Sequence, residues 1–117
     1  AHLAYAAGDI LVMPSLFEPC GLSQIIAMKY GTPPVVRATG GLADTVRDAD
    51  ASPEDGTGFV FSDFSGDELA HAVYRALEAK RDTGRWNYII NNGMTQDFSW
   101  DKSAKEYLQL YRDIITA

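Results

Sequence analysis

Pro14-Ser15-Leu16-Phe17-Glu18-Pro19-Cys20-Gly21-Leu22-Ser23-Gln24 separates a short apolar run, Ile10-Leu11-Val12-Met13, from Ile25-Ile26-Ala27-Met28-Lys29-Tyr30, which has helical period. The order is strand, loop, helix. A loop joining a strand's carboxyl end to a helix start is where open α/β sheets bind ligands. Gly21 leaves room for a ligand to approach the backbone. The amides of Gly21, Leu22, Ser23 and Gln24 are first-turn donors with no intrahelical acceptor, which suits a phosphate. Glu18 adds a carboxylate beside that anion site. Solubility does not explain its placement.

Around this unit the chain alternates strands and helices. Leu3, Ala6 and Ala7 read as a helix end with Gly8 as its cap. The run Ile10–Met13 is apolar throughout, as a buried parallel strand should be. The helix from Leu22 to Tyr30 is expected to turn Leu22, Ile25, Ile26 and Met28 inward and to stop at Gly31. Thr32-Pro33-Pro34 forces an extended approach to a strand, Val35-Val36-Arg37. Ala38-Thr39-Gly40-Gly41 is a second strand-end turn, and Leu42 to Val46 starts a short helix. Asp48 to Thr57 is expected to be a loop and the most mobile stretch. Gly58-Phe59-Val60-Phe61 is the third strand.

Ser65 and Glu68 have capping-box spacing ahead of a helix whose inner face is Leu69, Ala72, Val73, Ala76 and Leu77. A further helix from Arg85 to Met94 buries Trp86, Ile89 and Ile90. Ser99 caps the last helix, with Asp101 in its first turn and an apolar face of Ala104, Tyr107, Leu108, Tyr111, Ile114 and Ile115. This alternation predicts an α/β fold: a parallel sheet with right-handed crossovers and flanking helices.

The 117 residues fit one domain, and 46% hydrophobic with 22% charged residues is a globular composition. The net charge of −6 argues against non-specific binding to nucleic acid or anionic membrane. Eight of the sixteen acidic residues fall between Asp44 and Glu68, with Arg47 the only base there. That stretch reads as a solvated face, because its spacing matches no calcium loop. Cys20 is the only cysteine, which excludes an intrachain disulfide and fits a reducing compartment. No apolar run reaches membrane-spanning length. Ala1-His2-Leu3 lacks an initiator methionine and reads like the middle of a helix, so a fragment of a longer protein is expected.

Phe17-Glu18-Pro19-Cys20-Gly21-Leu22, Gln24, Ala27-Met28, Tyr30-Gly31-Thr32, Pro34, Val36-Arg37, Thr39-Gly40-Gly41-Leu42 and Asp44-Thr45-Val46 together resemble the C-terminal domain of bacterial glycogen synthases and plant starch synthases. The likeness runs from His2 to about Asp48 and resumes at Gly56–Asp63 and Gln96–Tyr111. It implies that residues 1–117 are a single truncated donor-nucleotide-binding domain, about half of a Rossmann-like domain with a parallel sheet, the C-terminal one of the GT-B architecture. The remaining strands would lie upstream, leaving one sheet edge unpaired and inviting self-association.

Those enzymes move glucose from ADP-glucose to the non-reducing end of an α-1,4-glucan with retention at the anomeric carbon. The resemblance implies that Glu18 faces the donor glucose and favours the cationic transition state. It places the backbone of Cys20, Gly21 and Leu22 on the sugar, and Ser23 on the distal phosphate or the ribose. Thr39, Gly40 and Gly41 would line the nucleotide pocket. No metal and no cofactor beyond the donor is implied. The α-glucan acceptor would be bound by an N-terminal domain, and the compartment would be the bacterial cytoplasm or a plant plastid. Many retaining relatives carry a second glutamate eight residues after the first; here Ile26 holds that position. Gln24 is a family feature but no like-for-like replacement, so ribose recognition stays open. A phosphate-clamping Lys/Arg pair and an adenine-stacking tyrosine would lie upstream.

Two other classes compete. A non-catalytic nucleotide- or glucan-binding module would use the same glycine turns, but phosphate binding alone does not call for Glu18. A dinucleotide oxidoreductase ranks last, because no Gly-x-Gly-x-x-Gly follows the first strand. Among single residues, Cys20 reads as a small buried hydrophobe and His2 as structural. Trp86, Trp100, Tyr107 and Tyr111 read as core packing instead of a sugar-stacking platform.

Overall fold

A computed structural model describes residues 8–14, 22–96 and 100–116. Three parallel strands, β1 (Leu11–Met13), β2 (Pro34–Arg37) and β3 (Phe59–Phe61), pair in the order β1-β2-β3. Five helices follow from the intervening sequence: α1 (Ser23–Lys29), α2 (Gly40–Thr45), α3 (Gly66–Arg81), α4 (Thr83–Met94) and α5 (Trp100–Thr116). Each strand is continued by a helix, as the alternation predicts.

Register sorts the side chains. Val12, Val35 and Phe59 share one cross-strand row, and Met13, Val36 and Val60 the next. Successive strand residues point to opposite faces, so the rows enter different cores. Val35, Phe59 and Phe61 pack with Ala72, Ala76 and Ala79 of α3 and with Trp86 and Ile89 of α4. Val36 packs with Met28 of α1 and Leu42 of α2, flanked by Met13, Ile25 and Val60. The sheet is therefore covered on both faces. Val12, at the edge of the first row, remains 42% exposed.

Local chemistry sets the helix ends. Gly31 adopts φ +79, with its N–H on Met28 O at 3.1 Å and Thr32 N–H on Ala27 O at 2.9 Å, a Schellman closure of α1. Ser65 Oγ accepts from Glu68 N–H at 3.1 Å and opens α3. The expected capping box is only half made, because Ser65 N–H donates to Asp63 O instead. Asp82 joins two helices: its N–H closes on Ala79 O, while its carboxylate accepts from Arg85 N–H at 3.2 Å. That cap starts α4 at Thr83, ahead of the expected Arg85.

Three expectations are corrected. The stretch from Asp48 to Thr57 has no regular structure but is closely tied down. Asp48 Oδ2 accepts from Asp50 N–H and Ala51 N–H, and Gly56 N–H donates to Ser52 O. Tyr88 of α4 donates to Glu54 O at 2.6 Å, and Asn92 to Gly56 O at 3.0 Å. Leu22 and Leu77 point outward, 65% and 50% exposed, where inward packing was expected. The apolar stripe of α5 is a surface: Tyr107, Leu108, Tyr111, Ile114 and Ile115 are all more than half exposed. Of the aromatic residues assigned to core packing, Trp86 is buried and Tyr107 and Tyr111 are not. His2, Leu3, Ala6, Ala7 and Ser99, with the side chains of Trp100 and Asp101, lie outside the described residues.

The outer edge of β3 is closed by side chains. In a parallel ladder alternate residues face the partner strand. Ala38 N–H bonds to Phe61 O, so Phe61 faces β2 and Val60 faces away. Val60 N–H meets Asp48 Oδ1 at 2.8 Å, and Val60 C=O meets Arg75 Nη2 at 2.9 Å. Next to it, Gly58 pairs with the backbone at Arg47 and Ala49. Arg75 in turn bonds both Asp48 oxygens and stacks over the Phe59 ring.

Candidate functional site at the carboxyl edge of the sheet

All three strands end on the same side, because they are parallel. Pro14 follows β1, Ala38–Gly40 follows β2, and Ser62–Ser65 follows β3. A cleft of about 280 Å³ opens there, lined by Pro14, Phe61, Phe64, Ser65, Gly66 and Leu69. The Arg37 guanidinium stands 5.5 Å over the Phe64 ring at the ends of β2 and β3. Sequence reasoning passed over this pair. Its signal was Arg37 closing one strand and an aromatic residue three positions past the next.

The predicted residues divide into two groups. Glu18, Cys20 and Gly21 lie outside the described residues. Leu22 is the N-cap of α1, and its side chain makes no capping bond. Ser23, the first residue of α1, is half-buried, and the first turn carries no acid. Thr39 is extended at φ −147 and ψ 135 as the N-cap of α2, with its carbonyl accepting from Leu42 N–H at 3.0 Å. Gly40 takes φ +49, a left-handed turn that its missing side chain permits, and Gly41 continues α2. The glycine turn is therefore real, and it opens α2 directly after β2.

One contact joins the start of α1 to the end of α2. Gln24, in the first turn of α1, is fully buried, and its Nε2 donates to Thr45 Oγ1 at 3.1 Å. Gln24 thus sits inside, between α1 and α2. Ile26 is half-buried. Among the described residues no cluster of His, Cys, Asp or Glu has metal-ligand geometry, and no helix is long and apolar enough to cross a membrane.

Residues 2–94 match the family model described as glycosyl transferases group 1. The chain belongs to this family. As a group 1 glycosyltransferase it has close relatives: it is 48% identical over 115 residues to a glycogen synthase of Bacillus anthracis, which covers 98% of this chain and 24% of the relative. It therefore spans about a quarter of the length of the curated relatives it matches. Among solved structures, the catalytic domain of starch synthase IV from Arabidopsis thaliana, bound to ADP and acarbose, superposes with a TM-score of 0.82 at 40% identity. That likeness covers 97% of this chain and 24% of that one. A sucrose-phosphate synthase from Thermosynechococcus elongatus gives 0.69 at 34% identity, over 97% of this chain and 27% of that one. The resemblance read from the motifs and the parallel α/β architecture both hold for this member of the family.

Proposed function

We propose that the longer protein to which this chain belongs is a retaining glucosyltransferase of the glycogen and starch synthase type. It moves glucose from ADP-glucose to the non-reducing end of an α-1,4-glucan. The observation that carries this reading is near-complete coverage of the chain by glycogen synthase relatives at 48% identity. A structural neighbour bound to ADP and acarbose adds to it.

The transition state places positive charge on the sugar and negative charge on the departing diphosphate. Such a site needs a carboxylate near the sugar and fixed donors near the phosphates. Glu18, which lies between β1 and α1 in the sequence, supplies the carboxylate. The backbone at Cys20, Gly21 and Leu22 holds the sugar hydroxyls, and Ser23 meets the distal phosphate or the ribose. Thr39, Gly40 and Gly41 line the nucleotide side from the end of β2. The chemistry calls for no metal or further cofactor. The 117 residues form one truncated donor-binding domain, and the glucan acceptor is held by an N-terminal domain of the longer protein.

The test is Glu18→Ala in the full-length enzyme. Transfer from ADP-glucose should fall by at least about a hundredfold, the scale of a lost transition-state electrostatic contact. Unchanged transfer would remove Glu18 from the mechanism. Titrating ADP-glucose while following the amides of Gly21 to Gln24 by NMR separates a preformed phosphate site from a bare structural loop.

A further inference from the structure

We propose that Gln24 is a positioning residue of the donor site, acting through Thr45 to fix the orientation of α2, and with it the Thr39–Gly41 turn, relative to the start of α1. The proposal rests on the site reading above.

The amide of Gln24 is fully buried, and burying a polar side chain is unfavourable unless it is hydrogen-bonded. The bond from its Nε2 to Thr45 Oγ1 is 3.1 Å and spans 21 residues of sequence. It ties the first turn of α1 to the last residue of α2. The α2 helix has only six residues, and its N-cap Thr39 makes no side-chain capping bond. A helix of that length has no stability of its own, so its placement comes from its contacts. Leu42 and Val46 seat it in the apolar layer with Val36 and Met28. Apolar packing is non-directional, so those two residues set its depth. The Gln24–Thr45 bond is directional and sets its rotation. The opposite end of α2 carries Thr39 and Gly40 with its φ of +49. A small rotation about the apolar anchors moves that turn relative to Leu22 and Ser23. The ligand class affected is a nucleoside diphosphate sugar that must touch both turns.

The experiment uses the full-length enzyme with Gln24→Met, Thr45→Val and Thr45→Ser. The first two variants should each raise the donor KM about three- to tenfold, the effect of one buried hydrogen bond, and leave the acceptor KM unchanged. Combining them should add little, because both remove the same bond. Thr45→Ser keeps the hydroxyl and should stay within about twofold of the parent enzyme. A second readout is independent of turnover: Gln24→Met should shift the backbone amides of Gly40 and Gly41. Lowered thermal stability with donor KM and these amides unmoved would overturn the proposal. Parent enzyme that transfers no glucose, but whose Gly40 and Gly41 amides still move in Gln24→Met, would overturn the site reading and leave the positioning contact standing.

Discussion

Asp50 shows how one exposed-looking acid becomes structural. Burial alone would raise its pKa, but hydrogen bonds from Arg75 and Arg85, with their charge, outweigh that and hold it below the ordinary carboxylate range. For Arg75, burial pushes down and the bonds to Asp50 and Asp48 push up further, so it stays charged. A depressed carboxyl contributes stability above its unfolded pKa of about 3.9, and that contribution disappears as pH falls through the folded value. We expect Asp50→Asn to be less stable than the parent at pH 7. The difference should shrink as pH falls below about 4, measured by urea unfolding across pH. A gap that stays constant with pH would mean that the arginine contacts contribute nothing through charge. The acidic composition of 44–68 was legible as a charged face. That Asp48 and Asp50 grip arginines 25 to 35 residues onward was not, because those partners meet only after α3 and α4 dock.

At the scale of elements, α1 was readable to within a residue or two, since its stop signal is local. Gly31→Ala tests this. The left-handed turn costs a residue with a Cβ about 1–2 kcal/mol, and that Cβ would stand 3.3 Å from Ile90 Cγ2. We expect a loss of about that size in equilibrium unfolding, with the helix content of the native state retained. The α5 helix gives the opposite lesson. Its apolar spacing was visible, but the buried side that spacing suggested is open to solvent from Tyr107 to Ile115. Replacing Ile114 and Ile115 together with Lys should change stability by no more than about 0.5 kcal/mol per site while lowering self-association in sedimentation. A large stability loss would show that this stripe is packed against the body of the chain.

At the scale of the molecule, the two sheet edges differ. The β3 edge ends in the Asp48–Arg75 pair and the Asp48–Gly58 backbone bridge, which occupy the groups another strand would pair with. Among the described residues β1 pairs with β2 alone, so any additional strand, from the same protein or from a second copy, has its opening there. The chain spans about a quarter of its relatives. On the proposed function, acceptor binding and phosphate clamping fall to other parts of a longer protein, so we expect the isolated 117 residues to transfer no glucose from ADP-glucose. Measurable incorporation into glucan by the purified chain would contradict this.

The sequence by itself determined the order of strands and helices, the glycine turn after β2, the family and the motif around Glu18. The order and the turn are carried by periodicity and by backbone preference at glycine and proline, whereas the family was legible as a resemblance of motifs. Only the tertiary structure decided that Gln24 is buried against Thr45, that side chains close β3, and that the α5 stripe faces outward. Those facts depend on which surfaces meet. A period tells a side chain which face it shares, but burial is settled by what, if anything, packs against that face.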